Sequence, residues 1–154
     1  MEYLIVKWLH IVSSTLLFGT GLGSAFYMFF TSLTRDTRAV AHVVRLVVVA
    51  DWSFTVPTII LQPATGFYLM HLAGFPFSST WIRWSIILYL LAGACWLPVV
   101  WMQIRMRNLA DEAVRTQTAL PQQYFAFFKW WTALGFVAFF ALILVFYLMV
   151  AKPM

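Results

Sequence analysis

The stretch WWTALGFVAFFALILVFYLMVA, residues 130–151, decides the fold. It contains no Asp, Glu, Lys or Arg, and its length exceeds the about 20 apolar residues that carry a helix across the hydrocarbon core of a bilayer. Three more charge-free runs precede it, Trp8 to Thr34, Trp52 to Ile82 and Trp84 to Ile104, each long enough to span. Lys7 and Asp51 border the first two and are read as lying inside their helices. The spans are therefore placed at residues 4–30, 46–72, 84–104 and 125–150, with a cytoplasmic loop over 105–123. That loop carries Asp111 and Glu112 among its basic residues and has Pro121 as a stop, which is compatible with a short helical extension. No run alternates with period two over the length of a barrel strand. The fold expected is all-α: one transmembrane domain over 1–154, an integral membrane four-helix bundle.

Composition agrees. The chain has 154 residues, 63% hydrophobic and 10% charged, where soluble proteins carry roughly a quarter charged residues. Four spans leave no room for an extramembrane catalytic domain. The net charge of +5 comes from basic residues that interrupt apolar segments rather than forming a face, so nucleic acid is excluded as a partner and the charges are read as topology markers. Arg35, Arg38 and Arg45 flank the first connection, and Arg105, Arg107, Arg115 and Lys129 the third; only Lys7, Arg83 and Lys152 fall on the other side. Because short Lys- and Arg-rich loops stay inside, the expected topology is N-out/C-out in a bacterial inner membrane, multi-pass. Trp81, Trp84, Trp130 and Trp131 sit near span ends, where indoles favour the headgroup level. The first run is far longer than a signal-peptide core and ends in no small-residue cleavage site, so it is read as retained. The lone Cys95 excludes an intramolecular disulfide and a cysteine-rich metal site. Homo-oligomerisation stays open.

Polar groups within a span are costly and mark functional candidates. On helix 1, Lys7, His10, Ser14, Leu17, Gly21 and Ser24 recur at steps of three and four and share one face. With Gly19 and Gly23 nearby, that face suits close helix packing or a slot for a flat cofactor. His10 lies about 10 Å below the outer end at ~1.5 Å per residue. Its imidazole fits an interhelical hydrogen bond, a proton relay or a haem ligand. Helix 2 carries Asp51, Thr55, Thr58, Gln62 and Thr65 as a polar stripe that must face protein, water or ligand. Asp51 is read either as an ion pair with Arg105, Lys129 or a loop arginine, or as a proton-relay carboxylate. Pro57 and Pro63 are expected to kink this helix and free carbonyls. His71 ends helix 2 on the side of His10, about half a turn off the stripe, and is either interfacial or a second axial ligand; Met70 and Gln62 are the alternatives for that role. His42 lies on the cytoplasmic side and cannot share a haem with His10. On helix 3, Ser85, Tyr89, Trp96 and Gln103 recur near helical spacing, and helix 4 looks like a packing helix.

The string Val6 Lys7 Trp8 Leu9 His10 Ile11 and the glycines after it are similar to the opening of the HemJ-type protoporphyrinogen oxidases, small bacterial membrane proteins that bind haem b. The resemblance covers Lys7 and His10 and implies His10 as a haem ligand. Ser85 stands where that family has a lysine four residues after the tryptophan that opens its third helix. Nearly the whole chain resembles a broad family of predicted bacterial integral membrane proteins that brings no activity with it. The matching strings are Lys7 to Ile11, Asp51 Trp52 with Phe54 Thr55 and Pro57, Gln62 Pro63 with Thr65 Gly66, and Trp96 Leu97 Pro98 through Gln103 and Arg105.

The functional expectation is a b-type haem protein with an electron-transfer or oxidoreductase role near the periplasmic leaflet, and quinone or another membrane redox protein as partner. His10 and His71 are its metal ligands, Ser14, Gly21, Thr65 and Gly66 its cofactor-binding residues, and Asp51, Gln62 and Lys7 its catalytic candidates. The alternative is a non-catalytic membrane subunit or assembly partner without a cofactor.

Overall fold

A computed structural model describes residues 1–153. Four helices build it: α1 (Glu2–Thr34), α2 (Thr37–Ala73), α3 (Thr80–Arg115) and α4 (Gln122–Ala151), all long and apolar enough to cross a membrane. No strand occurs among the described residues.

The helices outrun the expected spans at the end that carries the basic connections, here called the basic end. Arg35 adopts a left-handed conformation with φ 59°, and its N–H reaches Ser32 O. Asp36 then caps α2, its carboxylate accepting from the Arg38 and Ala39 N–H groups at 3.0 and 3.1 Å. A two-residue turn thus replaces the longer loop read between residues 30 and 46. The cause is amphipathicity: Val40, Ala41, Val44, Val47 and Val48 are buried along one face of α2, while Arg38, His42 and Arg45 stay exposed. A search for charge-free runs finds what dissolves in lipid and passes over helix that emerges from it. The same holds for α3, where buried Met102, Met106, Ala110 and Ala113 carry the helix to Arg115 and shorten the loop read at 105–123. Pro121 opens α4 from an extended conformation, as a residue without an N–H does at little cost.

Lipid offers no hydrophobic drive between helices, so association rests on packing and interhelical hydrogen bonds. The main core lies at the basic end, with Met28, Val40, Val44, Met106 and Tyr124 at its centre. There Ser32 and the Tyr124 hydroxyl meet at 2.7 Å, and Arg45 pairs with Asp111 at 2.8 Å on the surface. Toward the opposite, terminal end the molecule divides: α1 packs on the second half of α2, α3 packs along α4, and α1 and α4 touch only sparsely.

One irregularity interrupts α2. Asp51–Thr55 form a single π-helical turn, closed by the Val56 N–H on Asp51 O. Pro57 follows at once, with no N–H and a ring that crowds the carbonyl one turn back. The widened turn gives that carbonyl room, and such turns frequently lie at functional sites.

Candidate functional site

The polar stripe of α2 serves two separate places. Its outer part meets α1. Thr65 Oγ1 donates to Leu61 O at 2.8 Å, so toward His10 Nδ1, 2.8 Å away, it acts as acceptor. His10 therefore carries its proton on Nδ1, and its Nε2 accepts from the Gln62 amide at 3.1 Å. The ring lies against Gly66, where an added Cβ would stand 3.3 Å from His10 Cε1. Below it, Ser13 reaches Thr58 O at 3.5 Å.

Not every predicted residue joins this network. Gln62, Thr65 and Gly66 surround His10, but Ser14 turns back on its own helix and donates to Ile11 O. Lys7 is exposed, 5.8 Å over the Tyr3 ring. His71 is exposed too, six residues beyond Thr65 and so about 9 Å further along the axis at ~1.5 Å per residue. A haem fits this place in one respect only. An Nδ1–H held by an acceptor is the usual arrangement of a metal-ligating imidazole, yet the Nε2 lone pair is already capped by Gln62. As arranged, the residues do not seat a haem at His10. Among the described residues no three His, Cys, Asp or Glu side chains gather at metal-binding range.

The inner part of the stripe faces elsewhere. Between α1 and α4, at mid-bundle, lies a cavity of ≈ 380 Å³, lined on one side by Leu17, Gly21 and Ala25 and on the other by Gly135, Phe136 and Ala138. Its volume falls within the about 300–1,000 Å³ typical of small-molecule sites. Phe18 closes the terminal end by stacking on Phe139, centroids 5.3 Å apart, and Phe29 against Phe128 closes the basic end at 5.5 Å. Gly21, Gly93 and Gly135 have nothing within 4 Å of an added Cβ. The slot expected from the small face of α1 exists, but at Gly21 and Ser24 rather than around His10 and Ser14.

The inner wall is polar. The π turn of α2 presents Asp51 and Thr55 to the cavity, and α3 presents Tyr89, Trp96 and Gln103. Thr55 donates to Asp51 Oδ1 at 2.9 Å. Asp51 forms no ion pair: the pairs among the described residues are Arg45 with Asp111 and Arg115 with Glu112. The ion-pair reading of Asp51 is thereby corrected. Asp51 is buried within the bundle, whereas Arg105 and Lys129 are exposed on the outer faces of their helices. Four buried side-chain polar atoms lack a hydrogen-bond partner among the described residues, and three of them, Asp51 Oδ2, Gln103 Oε1 and Trp131 Nε1, belong to residues that line the cavity with their other atoms. These residues are 5%, 4% and 5% exposed. Helix 4 is thus a cavity wall as well as a packing helix. Sequence reading overlooked Trp131 because its position at a span end gave it an interfacial explanation.

Tyr89 answers a question posed by Pro63. Proline cannot donate to the carbonyl four residues back, which is Ile59 O; the Tyr89 hydroxyl donates to it at 2.7 Å.

A bundle of four helices, each long and apolar enough to span, defines a multi-pass integral membrane protein, consistent with placement in a bacterial inner membrane. The chain belongs to the family described as predicted integral membrane protein (DUF2269), whose profile matches residues 4–153. No curated protein and no solved structure matches it.

Proposed function

We propose that this protein binds a lipid-phase small molecule in the cavity between α1 and α4, its apolar body against the aromatic and glycine walls. The observation that carries this reading is the cavity itself, ≈ 380 Å³ walled mostly by aromatic and small apolar residues between the helices. The positive-inside count favours both termini outside, and the lining contributed by α1 and α4, Leu17 to Phe30 and Trp131 to Leu142, falls within charge-free runs of the sequence. A lipid-phase partner of the quinone class, expected at the outer rim, moves to mid-bundle in this reading.

Native mass spectrometry of the protein extracted mildly from its own membrane tests it. We expect an adduct on the wild type that is lost when Gly93→Leu or Gly135→Leu fills the cavity. A bare wild type, or an adduct indifferent to filling, overturns the proposal.

Haem b at His10, with the HemJ-like opening of helix 1 behind it, is a second reading. The Nδ1–H held by Thr65 favours it; the Gln62 amide on Nε2 stands in its way. Oxidised and dithionite-reduced absorption spectra decide. A Soret band lost in His10→Ala supports haem, and a colourless preparation from haem-sufficient cells sinks it.

A further inference from the structure

We propose that the groove between α3 and α4 at the basic end holds the head of an anionic phospholipid of the phosphatidylglycerol class, with its phosphate at Arg105 and Asn108. The groove shares no lining residue with the cavity between α1 and α4, so the two are separate sites.

Trp101, Arg105 and Asn108 follow one face of α3 at helical steps of four and three, joined by Leu109, and Gln123 and Phe127 stand one turn apart on α4; together they bound a groove of ≈ 320 Å³. Its lining is graded along the helix axis. Trp101 and Phe127 meet edge to face on the hydrocarbon side, centroids 5.5 Å apart, as aromatic rings do at a membrane surface. The Arg105 guanidinium lies over the same indole at 5.4 Å, just beyond the charge-free run that ends at Ile104. Asn108 is nearly a further turn out.

The free polar groups select the charge of the guest. The exposed carboxylates of this end are engaged, Asp36 by the α2 N–H groups, Asp111 by Arg45 and Glu112 by Arg115. Arg105 has none. Arg107 donates through Nε and Nη2 to Asn108 Oδ1 at 3.2 and 3.0 Å, which leaves the Asn108 NH2 group as the free end of that amide, a donor alone. A guanidinium and an amide NH2 three residues apart on one helix face match an oxyanion that only accepts, and arginine pairs with phosphate through two parallel hydrogen bonds. The aromatic half suits the first methylenes of acyl chains, which a soluble phosphate ester lacks. Phosphatidylethanolamine sets an ammonium beside its phosphate, against Arg105 and Arg107. A glycerol head sets hydroxyls there instead, which the Gln123 amide can meet as donor or acceptor. Basic pockets between membrane helices recur as sites for anionic heads.

The test is native mass spectrometry of the full chain in detergent, offered equimolar phosphatidylglycerol and phosphatidylethanolamine with the same acyl chains. We expect the wild type to hold phosphatidylglycerol at least about fivefold over phosphatidylethanolamine, the factor that one basic residue beside an anionic head contributes. Arg105→Gln removes the cation and Asn108→Asp sets a carboxylate beside it; each is expected to bring the two lipids to within about twofold of each other. Arg38→Gln removes an equal charge from the same end outside the groove and is expected to keep the wild-type preference. All three substituted side chains are exposed, so the bundle keeps its core. Equal retention of the two lipids by the wild type, or retention of neither, overturns the proposal, as does a wild-type preference that survives in Arg105→Gln and Asn108→Asp. So does an Arg38→Gln variant that loses the preference as fully as Arg105→Gln, because the net charge of the end would then account for it. In a second arm glycerophosphoglycerol, the same head without chains, is added in equimolar amount and is expected to leave the lipid adduct in place. Displacement by it overturns the lipid as occupant and assigns the groove to a soluble phosphate ester.

Discussion

His10 and Asp51 stand on neighbouring helices and are served in opposite ways. Every polar atom of the His10 ring has a partner, whereas Asp51 keeps one oxygen unmet. Thr65→Val removes the acceptor of His10 Nδ1–H, and Thr65→Ser keeps it. We expect the valine variant to lose about 1 kcal/mol, the scale of interhelical hydrogen bonds in membranes, read as a lower thermal midpoint in detergent, with the serine variant near wild type. An unchanged valine variant would show that the bond contributes nothing. Tyr89 offers a sharper check. Tyr89→Phe strands Ile59 O at a cost of about 1–3 kcal/mol. In a Pro63→Ala background the restored N–H serves that carbonyl, and the same change should cost less than half as much. Equal costs in the two backgrounds would mean that Tyr89 does not compensate for the proline.

At the scale of elements, the π turn is what separates the two polar places along α2. The periodic stripe from Asp51 to Thr65 is legible in the spacing, as are the small face of α1 and an interhelical hydrogen bond at His10, though not its partners. The division of the stripe is not, because the turn that widens at Asp51–Thr55 adds a residue to one turn and resets the face that follows. Gln103 shows in the helical spacing of α3, whereas Trp131 does not; that both carry a partnerless atom emerges only in the packed bundle. The extensions of α2 and α3 beyond the membrane escaped for a related reason, since their buried valines, methionines and alanines sit among charges that end a hydropathy window. Deleting the exposed Trp52 is expected to restore regular α-helix through this turn, preserving helix content by circular dichroism while re-aiming Asp51 out of the cavity and abolishing the adduct. Retention of the adduct in that variant would show that the turn has no part in placing Asp51.

For the whole molecule, orientation is a prediction from charge alone. In a Cys95→Ala background, Ser78→Cys lies in the connection between α2 and α3, and Ala119→Cys in the connection between α3 and α4. A membrane-impermeant thiol reagent applied to intact spheroplasts should label the first and spare the second until the membrane is broken. The reverse pattern would invert the topology.

The core of Met28, Val44, Met106 and Tyr124 joins all four helices at the basic end, while further out α1 with α2 and α3 with α4 form two separate pairs. A body fastened by its core at one extremity is held at the other by thinner ties: the connection from Gly74 to Ser79, Lys152 over the Phe75 ring at 5.2 Å, and the Phe139 and Phe146 rings, each with its centroid 5.3 Å from Phe18. For the lipid-phase ligand proposed for the cavity, those ties rather than the core would have to yield, and the thickness and fluidity of the surrounding lipid would govern how readily they do.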